Sequence, residues 1–144
     1  APQLAAGVAG AATVLAPFVM AEAARLGLAP DRVALMGFSQ GAMTVLETGL
    51  CGALPEVACL LAYSGGMIGA DRLAERCAAR PAVLLVHGEA DEVVPVAASR
   101  MAESALAEAG VPVRALYRPG LGHGLDEVGL AAGAEVLRGL LGQK

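Results

Sequence analysis

The stretch Val33-Ala34-Leu35-Met36-Gly37-Phe38-Ser39-Gln40-Gly41 constrains this chain more than any other. Four apolar residues run into Gly-x-Ser-x-Gly, and helix-forming residues follow. This is the pattern of a sharp strand-to-helix turn that projects one serine over the end of a sheet. Side chains at positions 37 and 41 are expected to strike the neighbouring strand and helix, which accounts for both glycines. A bare Gly-x-Ser-x-Gly says little, since both residues are common. With a strand before it and a helix after it, Ser39 reads as a nucleophile.

The remaining segments alternate in the same way. Residues from about Leu4 to Leu26 read as a helix, with Val14, Phe18, Ala21 and Arg25 on one stripe and Leu15, Val19 and Leu26 on the next. Pro17 is expected to kink it, and Gly27 to end it. After the Ser39 turn comes a helix from Gln40 to about Leu50, then an apolar run from Val57 to Tyr63 and a turn at Ser64-Gly65-Gly66. A short helix over Asp71–Ala79 precedes a third run, Ala82 to Val86, which ends in His87-Gly88-Glu89-Ala90-Asp91. Pro95 opens a helix that stops at Gly110. The fourth run, Val113 to Tyr117, alternates with Arg114 and Arg118 and suits an edge strand. Asp126 caps a last helix expected to carry Leu130, Leu137 and Leu141 inward. Continuous apolar strands alternating with helices mean a parallel sheet covered on both faces, an α/β fold.

With 144 residues the chain fits one domain that buries roughly 70% of its unfolded surface. Its net charge of −4 argues against nucleic acid or an anionic membrane surface as a partner. Cys51, Cys59 and Cys77 have no metal-binding or redox spacing, and their odd number suits free thiols in a reducing, cytoplasmic setting. Leu4 to Ala21 holds no charged residue, which raises a signal peptide or membrane span. The Ala/Gly content, Pro17 and the run into Glu22 and Arg25 favour an ordinary helix instead.

A serine hydroxyl attacks well only when a base takes its proton, and imidazole is the natural base near neutral pH. A carboxylate then orients the ring and stabilises its cation. In parallel sheets such groups gather at the carboxyl ends of the strands, and Ser39, Asp91 and His123 each follow an apolar run. Of the two histidines, His87 lies at the end of a buried strand and suits a structural role. His123, in the loop Pro119-Gly120-Leu121-Gly122-His123-Gly124, is the better base. Glu89, Glu92, Asp126 and Glu127 compete with Asp91 for the acid, the last two being explained by capping and the helix dipole. The Gln40 N–H, at a helix start, is placed to be an oxyanion donor. Ser64, Met67 and Leu121 lie in loops on the same rim and are candidates for lining a substrate pocket.

Gly37-Phe38-Ser39-Gln40-Gly41, Tyr63-Ser64-Gly65-Gly66, the run His87-Gly88-Glu89-Ala90-Asp91-Glu92-Val93-Val94-Pro95 and Gly122-His123-Gly124 together resemble the bacterial carboxylesterase/phospholipase group of α/β-hydrolases. That group includes the acyl-protein thioesterases and lysophospholipase-like esterases. The order Ser, Asp, His is also that of the α/β-hydrolases. The resemblance implies a Ser39–His123–Asp91 triad and hydrolysis of small-molecule or lipid carboxylic esters, or thioesters, without a metal or cofactor. Members of the group begin with further strands and a His-Gly-rich loop that supplies a second oxyanion donor. The chain is therefore expected to be the carboxy-terminal part of the fold, a single domain over 1–144 with about four strands. Val33–Met36 then becomes an open edge, expected to be covered by a twin molecule or by a separate amino-terminal fragment. The competing class of function is a non-catalytic hydrolase-like module that associates through this edge.

Overall fold

In the computed structural model, residues 2–52 and 54–142 are described. The elements run α1 (Pro2–Arg25), β1 (Ala34–Phe38), α2 (Gln40–Leu50), β2 (Cys59–Tyr63), α3 (Leu73–Arg76), β3 (Ala82–Gly88), α4 (Ala97–Glu108), β4 (Val113–Arg118) and α5 (Glu127–Leu141). The strands form one parallel sheet in the order β1-β2-β3-β4. Phe38 pairs with Tyr63, Tyr63 with Val86, and Gly88 with Arg118, so every strand exits at one rim.

Strand alternation divides the core between two faces. Leu35, Leu60, Ala62, Val83 and Leu85 pack with side chains of α1, α2 and α4. Cys59, Leu61, Tyr63, Leu84 and Val86 face Ala132 of α5 on the other side. Helices α1, α2 and α4, with Leu73 of α3, thus cover one face, and among the described residues α5, lying over β2 and β3, covers the second. Met36, on that second face of β1, is left 52% exposed.

Several elements differ from the sequence reading. α1 is helical and runs through Pro17, but its inward stripe is Val8, Ala12, Ala16, Val19 and Ala23. Small residues let it lie close against α2, while Val14 and Phe18 point outward at 70% and 60% exposure. The helix is long and apolar enough to cross a membrane by composition alone, and in this fold that inward stripe is docked on the protein. It ends where expected, with Gly27 at φ +70° and Leu28 N–H donating to Ala23 O at 2.8 Å. α3 is a single turn after a 3-10 turn at Ala70–Arg72. It stops early because the Ala78 and Ala79 N–H groups both donate to Leu50 O, tying the chain to the end of α2. Asp126 caps α5, accepting from Gly129 N–H at 2.8 Å. Leu130, however, is 43% exposed, and the inward face of that helix is Gly129, Ala132 and Gly133.

Small residues are needed there because Tyr63 reaches across to donate its hydroxyl proton to Gly129 O at 3.0 Å. A Cβ on Gly133 would collide with that hydroxyl. Gly133→Ala should therefore destabilise the fold by about 1–3 kcal/mol through overpacking. Gly139→Ala, in the same helix with nothing within 4 Å, should be neutral or stabilise by up to about 1 kcal/mol. Urea denaturation of the two variants at unchanged m-value measures the contrast.

Candidate active site

The turn after β1 is strained and held. Ser39 sits at φ 59°, ψ −120°, a conformation that non-glycine residues rarely adopt and that costs of order 1–3 kcal/mol. Its N–H donates to Tyr63 O at 2.8 Å, extending the β1–β2 ladder one step past the strand. Gly37 is sterically required, since a Cβ there would overlap the Gly41 carbonyl. Gly41 itself has open space around its Cα, so the expected crowding applies to only one of the two glycines. The second crowded position is Gly65, where a Cβ would lie 2.7 Å from Ala42 Cβ and 2.8 Å from Ser39 O.

Ser39, His123 and Asp91 lie in one hydrogen-bonded line. His123 Nε2 is 3.0 Å from Ser39 Oγ, and His123 Nδ1 is 2.8 Å from Asp91 Oδ2. Burial pushes the Asp91 carboxyl up, but hydrogen bonds from His123, Val94 and Val93 outweigh it and hold the group below the ordinary carboxylate range. Those backbone bonds to Oδ1 measure 2.8 Å from Val93 N–H and 2.9 Å from Val94 N–H. An ionised carboxylate only accepts, so the ring proton belongs on Nδ1 and the Nε2 lone pair faces the serine hydroxyl. That is the tautomer a general base needs. Phe38 packs its ring 4.8 Å from the imidazole at an interplanar angle of 44°.

The loop carrying His123 is tied down at several points. Ala90 N–H donates to Leu121 O at 2.9 Å, and Ser64 Oγ–H donates to Gly124 O at 3.3 Å. Gly88 leaves room for the crossing, because a Cβ there would strike the Leu121 and Gly122 carbonyls. The other carboxylates are engaged elsewhere or face solvent. Glu89 pairs with Arg100 at 3.1 Å, Asp126 with Arg118 at 2.8 Å, and Glu92 and Glu127 are exposed. His87 lies fully buried beneath the rim, bonded to Ser99 Oγ and Val94 O.

The Gln40 N–H is the first of α2 and has no intrahelical acceptor. Beside the site, an apolar cavity of about 360 Å³ is built from segments that follow each key loop: Met43 after Ser39, Gly66 to Ile68 after Ser64, and Val93 to Pro95 after Asp91. Met67 lines this cavity, with Met101 across from α4. Ser64 is buried and committed to the His123 loop. Leu121 is half-buried and serves through its carbonyl. Sequence reasoning missed Phe38, Gly65, Gly88 and Ser99. A glycine two places past an apolar run was the available signal for Gly65 and Gly88, and nothing local marks the other two.

The family model for phospholipases and carboxylesterases matches residues 1–140. The chain is 33% identical over 113 residues to the esterase YpfH of Escherichia coli, covering 78% of this chain and 47% of that protein. It is 30% identical over 112 residues to acyl-protein thioesterase 1 of Gibberella zeae, covering 71% of this chain and 47% of that one. The crystal structure of esterase PE8 superposes with a TM-score of 0.89 at 39% identity, over 94% of this chain and 63% of that one. The chain thus spans about half the length of the curated relatives it matches. The sheet and helices described above are those of an α/β-hydrolase, and the chain belongs to the phospholipase/carboxylesterase family.

Proposed function

We propose that this chain carries the catalytic site of a serine esterase that cleaves carboxylic esters or thioesters through an acyl-enzyme. One observation carries the reading: the Ser39–His123–Asp91 line, with an ionised acid and the correct tautomer of the base. Nε2 of His123 takes the Ser39 proton as Oγ attacks the ester carbonyl, and Asp91 stabilises the imidazolium that forms. The Gln40 N–H donates to the developing oxyanion. His123 then returns the proton to the leaving alcohol or thiol, and water, activated by the same ring, releases the acid.

The acyl chain occupies the cavity beside the site, where Met43, Met67, Val93 and Met101 offer apolar contact. Ser64 and Leu121 shape the rim from below. With Gln40 as the single donor identified, a chain lacking a second would turn over about 10²–10³ more slowly. Residence in the cytoplasm is supported by three free thiols, of which Cys51 is pushed up to about 11 by burial and by Glu47.

Hydrolysis of a short-chain nitrophenyl ester, measured beside stoichiometric labelling by a fluorophosphonate, tests the reading. Ser39→Ala should lose labelling and at least about 10³ in rate; equal rates from both proteins would sink it. Asp91 gives a pH signature. Its folded pKa lies below the unfolded value, so its contribution to stability is full above the ordinary carboxylate range and is lost as pH falls through the lowered pKa. Asp91→Asn should therefore be less stable than the wild type at neutral pH, with the gap closing in urea titrations as pH falls below the ordinary carboxylate range.

A second reading, association, is favoured by the free edge of β1. Grooves flank that edge on both faces, one along Phe18, Leu26, Val33 and Leu35 and the other along Met36, Leu130 and Leu137. We read this edge as the pairing site for a twin molecule or an amino-terminal fragment, since an apolar strand with unpaired backbone groups recruits another strand. Native mass determination should find an associated species that Met36→Lys weakens; a monomer unaffected by that change would refute the pairing.

A further inference from the structure

The buried polar cluster behind Asp91 has no part in the chemistry above. His87, at the end of β3, is wholly enclosed, as are the side chains of Asp91 and Ser99. Its Nε2 lies 2.8 Å from Val94 O and 3.3 Å from Asp91 Oδ2. Its Nδ1 lies 2.6 Å from Ser99 Oγ. A carbonyl only accepts, so Nε2 carries a proton. The Ser99 hydroxyl has two acceptors in reach, Nδ1 at 2.6 Å and Gly65 O at 3.1 Å, and its one proton serves the nearer. That bond locks the ring in the Nε2–H tautomer and aims the N–H at Val94 O, with Asp91 Oδ2 beside it.

We propose that His87 is a positioning residue for Asp91: its Nε2–H donates to Val94 O and fixes the turn whose Val93 and Val94 N–H groups hold the carboxylate that orients His123, and it never touches substrate. The inference rests on the esterase reading for its consequence, but the geometry stands apart from it. Val93 and Val94 N–H both donate to Asp91 Oδ1, so a shift of that backbone moves the carboxylate whose Oδ2 holds His123. Pinning Val94 O from below removes that freedom, and the His87 ring, 3.3 Å from Oδ2, closes the same side. The charged and titratable groups touching this cluster are Asp91 and, across its carboxylate, His123.

Two isosteric halves of imidazole separate positioning from mere filling. His87→Gln places an amide N–H near the Nε2 site and keeps the donor to Val94 O. His87→Asn reaches only the Nδ1 site, keeping Ser99 and losing Val94 O. The primary readout is the far-downfield Nδ1 proton of His123 in the NMR spectrum of the resting protein, which needs no turnover. It should persist in the wild type and His87→Gln, and broaden or vanish in His87→Asn. In ester hydrolysis, kcat of His87→Asn should fall by about 10-fold with KM unchanged, the size expected for a misplaced reacting group. Ser99→Ala, which frees the ring while leaving His87 in place, should broaden the same resonance and serves if His87→Asn does not fold. A resonance equally sharp in all variants, or equal losses in Gln and Asn that track melting temperature, would overturn the proposal. No such resonance in the wild type would overturn it together with the site geometry. A sharp resonance without ester turnover would fail the esterase reading alone, and the variants would still decide the role of His87.

Discussion

The positive φ of Ser39 is a local cost that the rest of the molecule is arranged to hold. A serine left to itself relaxes out of that conformation, at a gain of order 1–3 kcal/mol. Three constraints prevent it. The Ser39 N–H is committed to Tyr63 O, the Gly37–Gly41 approach locks the strand to the following helix, and Gly65 closes the remaining side. The first and third depend on β2 lying beside β1 in register, so the sheet is the frame that stores the strain. Ser64, one strand over and also at positive φ, repeats the device by donating its N–H to Val86 O. Its hydroxyl then anchors the loop that brings His123 over Ser39. Strain at one rim position is thus coupled to placement of the histidine at another.

Much of this was legible in the sequence because parallel sheets have simple bookkeeping. Continuous apolar runs identify strands buried on both faces, and the loops after them share one rim, so Ser39, Asp91 and His123 fall together with no contact information. What was illegible depends on contacts between distant residues. Phe38 meets His123 across 85 positions of chain, and Gly65 is forced by the Ser39 carbonyl of another strand. Helical spacing identified α1 and α5 and found part of their inward faces, Leu15 and Val19 in the first and Leu137 in the second, but missed the small residues that make up the rest. Periodicity favours large side chains for the core, whereas close helix packing here selects alanine and glycine and turns Phe18 and Leu130 outward. His87 was read as structural, which its burial bears out. Its distance to the acid was the unreadable part.

The two outer strands are built on different principles. β4 is blunted as a terminal strand should be. Arg114 pairs with Glu135 at 2.9 Å, Arg118 with Asp126 at 2.8 Å, and Tyr117 carries Arg100 over its ring at 4.1 Å while donating to Glu103. Charged and engaged side chains of that kind resist pairing with another strand. β1 has the composition of an interior strand, Ala-Leu-Met-Gly-Phe, with no charge and no bulge along its free edge. The strand that presents Ser39 is therefore the one whose edge chemistry invites a neighbour. A neighbour pairing there would also steady β1 from its second side, adding ladder hydrogen bonds to the strand whose end carries the strained serine. The two proposals, association and catalysis, posed as rival functions by the sequence, thus draw on one strand.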